Sequence, residues 1–299
     1  MTNHVILGDT DSSYVRLDKY AESHGIELNK ATAIKLADTI QSTLAGKLPA
    51  ILRDKFITPS QYMTILEPGR EVVGRKLLLK DAKKRYAIHI VDDEGKDVDK
   101  LKIMGMETQR SDTPKFIQEF LLECLTQVVK YDAGYDTVKT IVDDFRSTYR
   151  AMDPWRRGRP GRVKNINKAL ANIDEFRQQM QIIGNKKPLV HYMIDAAINT
   201  NKLMEIYGEH RWDVIRDGDK VELIYLLDNP EKMKAVAIKV GESYVPEWFK
   251  QLPFDVVKME EKLLDQKLYN VIGEVLEWEF LPDTNYHKDI SAVLDDFYD

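Results

Sequence analysis

The sequence has very little cysteine, since Cys124 is the only one among 299 residues. A single thiol cannot form an internal disulfide, and the helical apolar pattern around Cys124 predicts burial as a small hydrophobic side chain rather than catalysis. No apolar run approaches the roughly 18 residues of a membrane span, and the N-terminus lacks the basic-then-apolar order of a signal peptide. These absences predict a cytoplasmic chain with no membrane association.

The chain also lacks a strong excess of charge of either sign. Its 44 Lys and Arg against 49 Asp and Glu give a formal net charge of -5, which argues against a uniformly basic nucleic-acid binder but leaves room for one basic face. His191 and His210 have no metal-ligand partner at regular spacing, so both are interpreted as structural. Length and composition are those of a soluble globular protein with room for two domains.

The apolar spacing predicts an α+β fold, with strands and a crossing helix followed by a mainly helical part. Helical spacing covers residues 29–56 and is interrupted near Gly46 and Pro49. Strands are predicted at 62–66, 72–79, 86–91 and 101–104, with a later hairpin at 221–227 and 234–240. Further helices are predicted at 113–130, 135–149, 190–207 and 259–271.

The residues from Gly8 to Tyr14, Gly-Asp-Thr-Asp-Ser-Ser-Tyr, form a polar turn between two β-prone runs, which predicts a hairpin. In an extended segment Asp9 and Asp11 point the same way, and two carboxylates this close repel unless a cation neutralises them. A hard divalent ion with oxygen ligands does so, which gives a Mg²⁺ site as the hypothesis. Asp and Ser are also ordinary turn formers, so the motif by itself leaves a plain turn open.

Two basic stretches are candidates for nucleic-acid contact. Lys83-Lys84-Arg85-Tyr86 lies between two predicted strands, as a solvated turn or as a phosphate clamp with an aromatic beside it. The second stretch follows Trp155 and is interpreted as a Gly/Pro loop. A charge run is usually a solvated face, but in such a loop on an acidic protein we favour binding to a nucleic-acid backbone. Its cations are Arg156, Arg157, Arg159, Arg162 and Lys164.

Three motifs carry a resemblance to family B DNA polymerases. Gly-Asp-Thr-Asp-Ser resembles their palm motif, with Leu7 in place of the usual Tyr, and Lys84-Arg85-Tyr86 matches their Lys-x-Tyr motif. The segment at 101–114, Leu-Lys-Ile-Met-Gly-Met-Glu-Thr-Gln-Arg-Ser-Asp-Thr-Pro, looks very close to the palm-to-thumb junction of T-even type bacteriophage polymerases. The resemblance implies a C-terminal half palm at 1–112, a mainly α thumb at 113–281 and a flexible tail at 282–299. It also implies the host cell cytoplasm if the chain is viral.

The resemblance also implies roles for individual residues. Asp11 would be the direct ligand of two Mg²⁺ ions shared with a partner chain, with Asp9 beside the site and Glu67 or Glu71 as a nearby acid. Lys84, Tyr86 and Arg85 would position the primer strand, and the five cations of the thumb stretch would face the duplex. In the tail, Leu294, Phe297 and Tyr298 resemble the peptide by which phage polymerases bind a sliding clamp, although Ser291 replaces its frequent Gln.

Several family motifs are missing from the sequence: the upstream metal-binding Asp, the Asn-Ser-x-Tyr-Gly neighbourhood of the fingers and the 3'-5' exonuclease motifs. A two-metal nucleotidyl transfer needs carboxylates from two strands and a basic group on the triphosphate. The expectation is therefore the C-terminal subunit of a split polymerase, working on primer-template DNA and dNTP with an N-terminal subunit and a sliding clamp. Met1 just before the motif is expected of a split gene, and an expression fragment would look the same.

Two other functions stay open at the level of sequence. One is a non-catalytic module that binds duplex and tethers a clamp. The other is a self-sufficient metal-dependent nuclease that uses Asp9, Asp11 and a Glu. A palm divided in this way would expose an apolar strand edge and sheet face, so we expect poor solubility or self-association without a partner.

Overall fold

The computed structural model describes residues 4–9, 11–170 and 191–278, apart from the side chain of Asp9. The chain forms two compact units, one of residues 1–105 with 129–132 and the other of residues 106–128 with 133–299. It first passes from one unit to the other at residues 105–106. Three antiparallel sheets combine with helices in the described residues, which confirms the α+β class.

The first unit contains two of these sheets, β1–β2 and β3–β4–β5. Its strands are β1 (Val5–Asp9), β2 (Ser12–Val15), β3 (Val72–Leu79), β4 (Tyr86–Asp93) and β5 (Lys96–Met104). Its helices are α1 (Asp18–Ser23) and α2 (Lys30–Phe56), with a 3-10 turn at Ser60–Tyr62. The predicted hairpin and the bounds of β3 are confirmed, because both follow from β-prone runs bounded by turn residues.

Helix α2 begins with a capping box, in which the Asn29 side chain accepts from the Thr32 N–H and the Thr32 hydroxyl accepts from the Asn29 N–H. The interruption predicted inside this helix is wrong, because the helix continues past Pro49. Proline removes one backbone hydrogen bond, which a capped helix of 27 residues can lose without ending. Arg70 joins the helix to the sheet by donating to Asp38 and to buried Asp92.

The strand predicted at residues 62–66 is also wrong. The backbone there closes local turns instead, with the Tyr62 N–H donating to Pro59 O and the Ile65 N–H donating to Tyr62 O. Tyr and Ile favour strands, but a strand needs a neighbour to accept its hydrogen bonds.

The second unit combines helices with the sheet β6–β7–β8. Its helices are α3 (Lys115–Lys130), whose last two residues belong to the first unit, α4 (Tyr135–Ala151), α5 (Tyr192–Tyr207), α6 (Glu247–Lys250) and α7 (Val256–Glu260), with 3-10 turns at Glu107–Gln109 and Pro154–Arg156. After α7 the chain stays helical through π turns at Glu261–Asp265 and Tyr269–Gly273, separated by Gln266–Leu268. Its strands are β6 (Arg159–Arg162), β7 (Lys220–Tyr225) and β8 (Ala235–Lys239).

Strand β6 corrects the expectation of an irregular loop after Trp155. Pro160 and Gly161 are tolerated because β6 is at the edge of its sheet, where β7 is its one partner among the described strands. Burial of Cys124 is as predicted, since its side chain is fully buried in α3 and burial raises the pKa of the thiol to about 12. Among the helices that the structure describes, none is long and apolar enough to cross a membrane.

A buried ion pair joins the start of the second unit to its last helical segment. The Lys267 ammonium donates to Glu107 Oε2 at 2.8 Å and to the Thr113 hydroxyl at 2.8 Å. All three residues are buried. The segment at 107–113, which carries part of the polymerase resemblance, thus has a structural role in this unit.

Candidate active site and nucleic-acid contacts

The acidic motif is the connection of the β1–β2 hairpin. Asp9 is the last residue of β1 and is opposite Ser12, and Asp11 lies in the turn between the two strands. Asp11 is exposed in this turn. It is not in an extended segment, so strand alternation does not determine its direction relative to Asp9.

Tyr14 joins this hairpin to the Lys-x-Tyr motif. Its hydroxyl lies 3.2 Å from the hydroxyl of Tyr86, and the two ring centroids are 5.6 Å apart. Tyr86 belongs to an apolar cluster of β4 with Ile88 and Ile90, and Leu7 and Tyr14 of the hairpin pack against that cluster. The first unit therefore places the hairpin that carries Asp9 against the start of β4, the strand that follows Lys84. Sequence reasoning missed Tyr14, although an aromatic residue three positions after Asp11 in a β-prone run was a usable signal.

Lys84 and Arg85 are exposed in the turn between β3 and β4. The turn is closed by the Lys80 N–H donating to Arg85 O at 3.0 Å, and Lys84 has a left-handed backbone with φ of 60°. Gly105 lies behind this turn with φ of 62°, and a Cβ at that position would collide with the carbonyl oxygen of Lys84. Gly105 thus fixes the backbone of the turn, and the Met-Gly-Met sequence at the end of β5 was the signal for it.

The basic stretch at 156–164 divides into cations used by the fold and cations exposed to solvent. Arg157 is buried, and its guanidinium donates to the carbonyls of Met152 and Arg150 at the end of α4. It also lies over the Tyr149 ring, 5.2 Å from the centroid. Arg157 therefore completes the helix end, where carbonyls lack partners, and is not available at the surface to a phosphate.

Arg159 is engaged in a similar way. It donates to Asp112 Oδ2 at 2.5 Å and lies over the ring of Tyr192. Burial disfavours the ionised form of Asp112, but hydrogen bonds from Arg110 and Arg159 outweigh it and hold the pKa of this carboxyl well below its usual range.

The other three cations of the stretch are exposed: Arg156, Arg162 and Lys164. Arg156 lies near Asp153, with its Nε 3.5 Å from the carboxylate, and Arg162 donates to Gly218 O at 3.2 Å. Both contacts are at the surface and leave guanidinium donors for another acceptor. These three side chains are the part of the stretch that could contact a phosphate backbone.

The acidic pair is a partial donor set for a metal. Among the side chains that the structure describes, which leave out that of Asp9, no group of three or more His, Cys, Asp or Glu could hold a metal ion. Mg²⁺ is usually bound through one or two carboxylates together with water and substrate phosphates, and Asp9 with Asp11 fits that pattern. Glu67 and Glu71 are exposed before β3. The predicted clamp-binding residues Leu294, Phe297 and Tyr298 lie outside the described residues.

Comparison with known proteins identifies the class. The family model for DNA polymerase family B matches residues 52–210, more than half of the chain, and the chain belongs to this family. Enzymes of this family generally use Mg²⁺. The matched region contains Lys84, Tyr86 and the basic stretch, and it begins after Asp9 and Asp11.

Two relatives are named DNA-directed DNA polymerase. That of Enterobacteria phage T4 is 32% identical over 162 residues, which are 50% of this chain and 18% of the phage protein. That of Escherichia phage RB69 is 33% identical over 139 residues, covering 42% of this chain and 15% of the relative. The alignments therefore span less than a fifth of either relative.

Proposed function

We propose that this chain is the C-terminal subunit of a split family B DNA polymerase, which carries out template-directed DNA synthesis together with a partner polypeptide. The partner supplies the rest of the palm, the fingers and the exonuclease. The observation that carries the proposal is the contact between Tyr14 and Tyr86, which ties the Asp9–Asp11 hairpin to the Lys84 turn in one unit of a chain of this family. The first unit is then part of a palm and the second a thumb.

In this proposal, Asp11 and Asp9 would hold two Mg²⁺ ions together with carboxylates of the partner, and ions bound there would supply neutralisation of charge on the reacting phosphates. Lys84 and Arg85 hold the primer backbone through ionic contacts. Tyr86 keeps the turn in place through its buried ring, so that the primer 3'-hydroxyl lies near the acids. Positioning and electrostatic stabilisation are the main protein contributions to phosphoryl transfer.

Duplex and clamp contacts are proposed for the remaining sites. Arg156, Arg162 and Lys164 are exposed cations that suit the phosphates of the duplex behind the primer end. Leu294, Phe297 and Tyr298 offer one aliphatic and two aromatic side chains within five residues, which suits a hydrophobic pocket on a sliding clamp. Such a tether raises the effective concentration of primer ends without a new contact at the active site.

A second candidate is a module that binds DNA and tethers a clamp without catalysis. One observation favours it: the region matched by the family model includes the basic contacts but not Asp9 and Asp11. A self-sufficient nuclease receives less support, because the family model that matches the chain is that of a DNA polymerase family.

The experiment that tests the proposal is primer extension with Mg²⁺ and dNTPs. The chain is assayed alone and then mixed with the polypeptide encoded immediately upstream, with Asp11→Asn as the test variant and exposed Asp213→Asn as its control. Synthesis that occurs only in the mixture, is lost in Asp11→Asn and persists in Asp213→Asn supports the two-chain polymerase. Duplex binding without synthesis, unaffected by Asp11→Asn, supports the tethering module instead.

A further inference from the structure

An exposed apolar segment, residues 56–66, begins at the last residue of helix α2. Phe56 is 70% exposed, Ile57 88% and Ile65 65%, and Tyr62 and Leu66 are also exposed. The backbone of the segment closes local turns, with the Tyr62 N–H donating to Pro59 O and the Ile65 N–H to Tyr62 O, and no strand of the described structure pairs with it. Scattered single apolar residues are ordinary on a protein surface, but five large ones in eleven residues mark an interaction site.

The backbone at Ile57 gives a second, independent observation. Ile57 is the C-cap of α2 and has φ of 51° and ψ of 38°, which is the left-handed conformation. Gly or Asn usually takes that conformation after a helix, and a β-branched side chain there crowds its own backbone. Ile57 is therefore unfavourable twice in the chain alone, once through its backbone and once through its exposure. Its N–H donates to Leu52 O and closes the end of α2, but a Gly or Asn at this position would make the same bond.

The exposed face continues onto α2. Leu44 is 51% exposed and Ile51 43%, and residues seven apart lie on the same side of a helix. This side of α2 and residues 56–66 both suit a partner that presents an apolar surface rather than a charged one.

We propose that residues 56–66 and the Leu44–Ile51 side of α2 are the surface on which the remaining part of the polymerase packs. The occupant follows from family membership together with coverage, because the chain aligns to only 18% of its T4 relative. The Ile57 side chain is then buried in the complex, and this burial offsets the unfavourable backbone and exposure that it has in the isolated chain. This inference rests on the proposed function, since it takes the partner from it.

Ile57→Asn separates this role from a structural one, because the two make opposite predictions. Asn tolerates the left-handed backbone, so the variant should melt about 2 °C above the wild-type chain. The same variant should bind the polypeptide encoded immediately upstream at least about tenfold more weakly, as expected for a buried apolar anchor. Lys232→Asn is the matched control, because Lys232 has φ of 56° and an exposed polar side chain; it should raise the melting temperature similarly and leave the affinity unchanged.

Melting is followed by circular dichroism and binding by isothermal titration calorimetry, with the full chain in both. An Ile57→Asn variant with wild-type affinity overturns the inference, as does one that melts well below the wild type. If the wild-type chain forms dimers that Ile57→Asn abolishes, and binds no upstream polypeptide, the surface covers a second copy and the assigned partner is wrong.

Failure of the proposed function gives a different result. Asp11→Asn should bind the upstream polypeptide as the wild type does, because Asp11 lies in the hairpin turn and not in residues 56–66. Binding by a mixture that makes no DNA would refute the polymerase and leave the surface standing. DNA synthesis that Ile57→Asn does not affect, at subunit concentrations near the wild-type Kd, would refute the surface and leave the polymerase standing.

Discussion

The hydroxyl groups of Tyr14 and Tyr86 are 3.2 Å apart, although 72 residues separate them in sequence. A hydrogen bond between neutral groups stabilises a protein by about 1 kcal/mol, so Tyr14→Phe and Tyr86→Phe should each lower the free energy of unfolding by roughly that amount. Because both variants remove the same bond, the double variant should lose less than the sum of the two. Urea denaturation of the four proteins measures this coupling, and additive losses would show that the two hydroxyls do not interact.

Gly105 lies in close contact with the turn that carries Lys84. A side chain at position 105 should therefore lower the free energy of unfolding by more than backbone strain alone would. Gly105→Ala places a Cβ against the Lys84 carbonyl and in the left-handed region, so we expect a loss of about 2 kcal/mol or more in the free energy of unfolding. Gly95→Ala is the control, because Gly95 has φ of 84° and open space around its Cβ position. That variant should lose about 1 kcal/mol, and equal losses at the two sites in thermal denaturation would contradict the close contact.

Breaking the buried pair of Lys267 and Glu107 should lower the free energy of unfolding strongly, whereas replacing both residues with apolar ones should lower it much less. Lys267→Met leaves Glu107 buried without its ammonium partner, so we expect a loss of about 3 kcal/mol in guanidinium denaturation. Adding Glu107→Leu should restore much of the loss, since no buried charge is then left behind. Lys139→Met breaks the exposed pair with Asp143 and should cost at most about 0.5 kcal/mol. A Lys267→Met variant as stable as Lys139→Met would show that the buried pair does not stabilise the second unit.

Asp112 and Glu222 should give opposite pH dependences of stability. The pKa of Asp112 is lowered in the folded chain, so its ionised form stabilises the fold above the unfolded pKa of about 3.9, and this contribution is lost as the pH falls. Asp112→Asn should therefore be less stable than the wild type at pH 7, with the difference shrinking under acid. Burial raises the pKa of Glu222, so its ionisation at neutral pH opposes folding.

Glu222→Gln should consequently be more stable than the wild type at pH 7 and equal to it below about pH 4, where both states of the wild type are protonated. Thermal denaturation of the three proteins between pH 3 and pH 7 checks both signs. A Glu222→Gln variant that is less stable at pH 7 would mean that this carboxylate has a favourable partner in the fold.

Local sequence predicted those elements whose cause is local. The bounds of β3 follow from a β-prone run between turn residues, and Asn29 stands three residues before Thr32, as the capping box of α2 requires. Residues 62–66 have the composition of a strand, but pairing depends on a distant neighbour that composition does not reveal. Pro49 does not end α2, because the helical turns on both sides of it keep their own hydrogen bonds.

The candidate site divides in the same way. The motifs at Asp9 and Lys84 were visible in the sequence, and the hairpin and turn around them were predicted. The contact of Tyr14 with Tyr86 was not, because it depends on how the hairpin packs on the cluster of β4. Arg157 was misjudged as a surface cation because its acceptors are backbone carbonyls, which every residue has and no motif marks.

The position of Arg157 has a consequence for the salt dependence of DNA binding. Each phosphate contact by a cation releases counterions and adds about -0.9 to the slope of log K against log salt concentration. Five cations in the stretch would give about -4.5, but only Arg156, Arg162 and Lys164 are exposed, for a slope of about -2.7 from this stretch. The stretch therefore adds less electrolyte sensitivity than its formal charge suggests, and binding through it should weaken less as salt rises.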